Sequence, residues 1–137
     1  LGVISANAIA LSETITAIDF TDANNQITYG TDGQTMFNMP AGIVGMWAGN
    51  VNGDASVRYL GSSNETTSLK DIVLLDGGDN LHSFMGYSAG DVDMNGEIRY
   101  LGSGNDAIII KDIILNHPSN QVSPSNLFSI EEQLPEN

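Results

Sequence analysis

The chain contains no cysteine, so disulfides and thiolate metal sites are excluded. Base is almost as scarce: 4 Lys and Arg stand against 17 Asp and Glu, for a formal charge of −13. That imbalance argues against nucleic acid or an anionic membrane as partner and favours cations. No apolar run approaches the ~18 residues of a membrane span, and no signal peptide is visible. There are only two histidines, His82 and His117, in unrelated contexts, and no HExxH, GxSxG or phosphate-loop pattern occurs. Asp19, Asp22, Asp32, Asp76 and Asp79 sit in TD, TDG and DGGD contexts that are ordinary turn vocabulary. The chain therefore reads as a non-enzyme. Hard-cation chemistry with oxygen ligands, calcium or magnesium, is what remains.

What is present is globular. The 137 residues suit one domain, or a small domain with an appendage, and 41% are hydrophobic. Fifteen glycines suggest many turns and short strands. The chain opens on Leu1 within the apolar stretch LGVIS, which reads as a piece of something longer.

A self-comparison gives one strong match. GNVNGDASVRYLGSSNETTSLKDIVL, residues 49–74, aligns without a gap to GDVDMNGEIRYLGSGNDAIIIKDIIL, residues 90–115, with 12 of 26 positions identical. Such a repeat implies two copies of one supersecondary unit. All four basic residues fall inside it as matched pairs, Arg58 with Arg99 and Lys70 with Lys111. They serve either local charge balance or bidentate bridges between repeats or molecules.

Each repeat carries the alternate-residue spacing of a calcium loop, D-x-D/N-x-D/N-G. The second supplies Asp91, Asp93, Asn95 and Gly96, with the Glu97 carbonyl as a further ligand and Ile98 as the apolar pin. The first supplies Asn50, Asn52 and Asp54, with Ser56 at the carbonyl position and Val57 as the pin. Loop position 12, a bidentate Glu in an EF-hand, is here Gly61 or Gly102. Four residues later both copies place an acid, Glu65 and Asp106, each after an Asn. A lengthened loop with a late closing carboxylate explains the displacement.

That acid also stands where a helix would begin, capped by Asn64 or Asn105 and stopped in the second copy by Pro118. Spacing puts Ile109, Ile110, Ile113 and Ile114 on one helical face, although the β-branched content leaves a strand as the alternative. About two calcium ions per chain are expected. The second site should be tighter, with three carboxylates against two. If Ala55, which replaces Gly96, is left-handed, it costs a further ~1–2 kcal/mol.

The expected architecture is α+β, mostly β. Residues 1–48 (AIALS, TITAIDFT, QITYG, TMFNM) should form a small antiparallel meander or half-sandwich. Residues 49–116 hold the two EF-hand-like loops, each leading into a short helix. Residues 117–137 form a tail that could add one edge strand, and the three parts should make one compact unit. Trp47, in GIVGMWAGN, is expected in the core.

MWAGNVNGDASVRYLGSSNE followed by GDVDMNGEIRYLGSGND resembles the paired repeats at the C-terminus of many large secreted or surface proteins of Bacteroidota. In those, a D/N-V-N/D-x-D/N-G core runs into G-x-G-N-D. LGVISA, AIDFT, ITYGT, GMWAG and the ending EQLPEN are similar too, so the resemblance spans the chain. It implies a secreted, calcium-stabilised terminal module, with further domains upstream, and no specific activity. The repeats are also similar to dockerin modules, which keep the acid at position 12; the displaced acid puts cohesin-type binding in doubt. Two functions follow. One is a structural module that assembles with other copies of itself into a surface fibre or tube, pairing through the uncharged edge of residues 1–10. The other is a dockerin-like module that binds one specific protein partner.

Overall fold

The computed structural model describes residues 3–10, 12–24 and 27–131. The expected first residues of the edge segment, 1–2, and the acidic ending, 132–137, lie outside the described residues. The described chain falls into two units, divided between Trp47 and Ala48. It is α+β, with short antiparallel strands in two-stranded sheets and two helices.

In the first unit, β1 (Gln34–Thr35) pairs with β2 (Gly45–Met46), in the register Gln34↔Met46. An isolated antiparallel bridge joins Ser5 to Thr28. The expected meander is not formed among the described residues: AIALS and TITAIDFT carry no strand. β-Favouring residues build strands when one face is buried, and here Ile15 is 99% exposed and Ile27 64%. Order comes from turns instead. Asp19 accepts the Thr21 N–H at 2.8 Å and Asp22 accepts the Asn24 N–H at 2.9 Å, both Asx turns. Among the described residues of this unit Val44 and Trp47 are the buried apolar ones, and the Trp47 indole donates to the Asp32 carbonyl at 2.6 Å.

The second unit is built from the repeats. β3 (Ser56–Arg58) and β5 (Glu97–Arg99) occupy equivalent repeat positions, but each finds a different partner. β5 pairs with β4 (Ser83–Met85) from the inter-repeat segment, and β3 with β6 (Ser129–Glu131) from the tail. Helices α1 (Glu65–Gly77) and α2 (Asp106–Asn116) pack on each other and on the strands. The helices begin alike. Asn64 and Asn105 have extended backbones and accept the N–H of Thr67 and Ile108 at 2.9 and 3.0 Å. Each also donates 2.6 Å bonds back to Gly61 or Gly102, which locks the preceding turn. The cap, and burial of Ile110, Ile113 and Ile114, override the strand preference of the β-branched run. Ile109, placed on that face, is half-buried.

The helix ends differ. α1 stops at Gly78, left-handed at φ 80°, whereas α2 stops at His117 and Pro118 opens a single 3-10 turn, Pro118–Asn120. Buried Asn120 then donates to the Ile114 and Ser125 carbonyls at 2.9 and 3.1 Å. Those bonds turn the chain towards β6. The core of this unit includes Val57, Leu69, Val73, Ile98, Ile110, Ile114 and Ile130, so both apolar pins, Val57 and Ile98, are fully buried directly after their loops.

Candidate metal centre

In the second loop, Asp91, Asp93 and Asp106 each offer a carboxylate oxygen, and the three oxygens lie within 4.8 Å of one another. This triad could hold a metal ion. Two of its members come from the loop and the third from the first position of α2, where the positive end of the helix favours an anion. Asp106 is only 1% exposed. Its Oδ1 accepts the Val92 N–H at 2.7 Å and its Oδ2 the Arg99 N–H at 2.8 Å, so one carboxylate ties the start of the loop to β5. Burial pushes its pKa up, against the lowering effect of those backbone bonds.

Asp91 supplies the observation that points to a ligand. Its Oδ2 accepts the Gly96 N–H at 2.9 Å, while its Oδ1 is buried and has no protein partner. A buried carboxylate oxygen left unpaired is costly, and a cation held by the triad would satisfy it. Asp93 is braced by Asn95, whose N–H and amide donate to its two oxygens at 3.1 and 2.9 Å. The Asn95 side-chain oxygen in turn accepts the Glu97 N–H at 2.7 Å. The Glu97 carboxylate faces elsewhere, bonded to the Ser83 hydroxyl at 2.7 Å and to Arg99, and these contacts lower its pKa.

The first loop gathers the same positions with different chemistry. Asn50 donates to the Asp54 carbonyl and accepts the Gly53 N–H at 2.8 Å. The Asn52 amide donates to the Asp54 carboxylate at 3.1 Å and the Ser63 carbonyl at 3.0 Å. Asp54 is further loaded by the Ser56 hydroxyl and N–H, both at 2.8 Å, and its pKa is lowered chiefly by that hydroxyl. Glu65 is 0% exposed and accepts the Val51 and Asn52 N–H groups on Oε2 at 2.8 and 3.0 Å. Its Oε1 is buried and unpartnered, and desolvation raises its pKa. Neither displaced acid points to solvent.

The expected strain at Ala55 is absent, because Ala55 is not left-handed. The loops cross to positive φ two positions earlier, at the equivalent Gly53 (76°) and Met94 (60°), and only the second adds Gly96 at 85°. The arginines are local: Arg58 meets Asp54 at 3.8 Å and Glu131 at 3.3 Å, and Arg99 meets Glu97. The sequence reading missed that Asp106 and Glu65 hold loop backbone through their carboxylates. A signal for it was present, since an acid directly after a capping Asn lies where loop N–H groups converge.

No family model, curated protein or solved structure matches this chain. Among the described residues, no helix is long and apolar enough to cross a membrane.

Proposed function

We propose that this chain is an extracellular calcium-binding structural module, in which calcium stabilises the subunit and thereby a self-assembled surface polymer. The observation that carries the reading is the buried, unpartnered Oδ1 of Asp91 within the Asp91, Asp93, Asp106 triad. The donors are all hard oxygens, two from the loop and one from the start of α2, which suits the 6–8 oxygen ligands at ~2.3–2.6 Å that calcium takes. The first loop, with its orphaned Glu65 Oε1, is the weaker second site.

The electrostatics support the same reading. Two divalent ions would bring the formal charge of −13 to about −9, which lowers repulsion within and between copies. Each ion at a hundredfold excess over its Kd adds ~2.7 kcal/mol, a large share of a typical ~5–15 kcal/mol stability. Exposed apolar side chains in the first unit, Ile4 at 44% and Ile15 at 99% among them, suit burial between copies.

The test is thermal unfolding and light scattering in millimolar calcium and in chelator. A calcium-dependent rise in Tm, together with particles larger than one subunit, is expected. An unchanged Tm would remove the calcium reading, and a stable monomer in calcium would remove the polymer. A dockerin-like module that binds one protein partner is the second reading, favoured by a groove between the repeats lined by Tyr59, Leu60, Tyr100 and Leu101.

A further inference from the structure

The four basic residues separate into two kinds. Both arginines are ion-paired, while neither lysine has a carboxylate within 4.0 Å among the described residues. An unpaired cation is unexpected in a chain with 17 acids. Lys111 lines a groove of about 310 Å³ at the junction of the two repeats. Tyr59 and Leu60 from the first repeat face Tyr100 and Leu101, their equivalents in the second, with Ile108 beside Lys111 on α2. Leu60, Leu101 and Ile108 are 43%, 40% and 47% exposed. No acid lines the groove.

We infer that this groove binds an acidic peptide segment of a partner protein, with one bulky aliphatic side chain between the two tyrosines and a carboxylate on Lys111. Charge complementarity selects the carboxylate: this is a locally basic, acid-free surface on a strongly acidic chain. Thr66 and Asn105, the other polar lining residues besides the tyrosines and Lys111, are committed within the chain. Thr66 already donates to the Tyr59 carbonyl and the Asn64 side chain, at 3.1 and 2.6 Å. Asn105 is committed to Gly102 and to the Ile108 N–H as a helix cap. What the groove leaves available is aliphatic surface, two tyrosine side chains and one ammonium, which an aliphatic side chain flanked by acid complements.

The two halves of the groove come from consecutive repeats, each placed by a capped helix and a buried pin, so the surface is rigid before anything binds. This inference goes beyond the ion site and stands without it.

The experiment uses the full chain in millimolar calcium and a synthetic peptide, acetyl-EELEE-amide, with acetyl-QQLQQ-amide as its uncharged counterpart, followed by calorimetry or NMR shifts. Saturable one-to-one binding of the acidic peptide is expected, weakened at least tenfold for the uncharged one. Lys111→Glu should abolish binding with an unchanged helical circular dichroism spectrum, Lys111→Arg should retain it, and Leu101→Ser should weaken it severalfold. Lys70→Glu makes the same charge change outside the groove lining and should have little effect. Equal losses in Lys70→Glu and Lys111→Glu, equal binding of both peptides, or no wild-type binding at millimolar peptide would overturn the inference. So would self-association that Lys111→Glu abolishes while the peptide fails to compete, since a second copy would then be the occupant.

Discussion

The two repeat loops share a length, a capping Asn, a buried pin and a displaced acid, yet their interiors are satisfied differently. In the first, Asn50 and Asn52 turn amide donors onto Asp54 and the backbone, so hydrogen bonds do much of the work of a cation. In the second, acids replace those amides at Asp91 and Asp93, and three carboxylate oxygens crowd within 4.8 Å. An amide brings its own positive edge; a carboxylate must find one. The difference shows how one loop frame can be held mainly by its own donors in one copy and crowd carboxylates together in the other.

The largest way to break that contrast is at the displaced acids. Asp106→Ala should cost about 2–4 kcal/mol in chelator, because it leaves the Val92 and Arg99 N–H groups unsatisfied. In calcium its deficit against wild type should widen, as measured by urea unfolding. Glu65→Gln should be neutral or slightly stabilising in chelator, since it removes a buried charge with one orphaned oxygen.

The pH dependence follows from the same two acids. Burial raises the pKa of Glu65 and Asp106, so the folded chain holds protons more tightly than the unfolded one near the ordinary carboxylate range. Without metal, stability should therefore fall as pH rises through their raised values. Calcium needs the ionised forms, so its stabilisation should grow over the same interval. Asp19, Asp54 and Glu97 shift downward and act oppositely, but Asp19 is exposed and the other two are partly exposed, where such effects are screened. Urea midpoints from about pH 4.5 to 7.5, with calcium and with chelator, would show the two slopes diverging.

Backbone substitutions sharpen the comparison further. Gly96→Ala should cost about 1–2 kcal/mol at φ 85°, whereas Ala55→Gly, at a position that is not left-handed, should cost about 0.5–1 kcal/mol. The smallest effect is Met94→Gly. Met94 is left-handed at 60° where the first loop has Gly53, so the change should stabilise by up to about 1 kcal/mol in thermal unfolding.

Much of the second unit was legible because its signals are local. The Asn caps, the pins Val57 and Ile98, the helical face of α2 and the late acids all follow from spacing within a few residues. The pairing of β3 with β6 was not legible as a pairing, since Val57 meets Ile130 across most of the repeat region. β4 was missed because Ser83–Met85 follows a turn-rich stretch and owes its extension to Phe84 facing Ile98. The first unit shows the opposite error: Ile15, Ile18 and Ile27 looked strand-forming, but local preference makes no strand without a face to bury.

The most direct test of the metal reading is a calorimetric calcium titration of the wild type beside Asp91→Asn at neutral pH. The wild type should show a tighter and a weaker event, with Asp91→Asn weakening the tighter one at least tenfold, about 1.4 kcal/mol, and sparing the other. A titration that Asp91→Asn leaves unchanged, or a wild type that gives no heat of binding up to millimolar calcium, would contradict it.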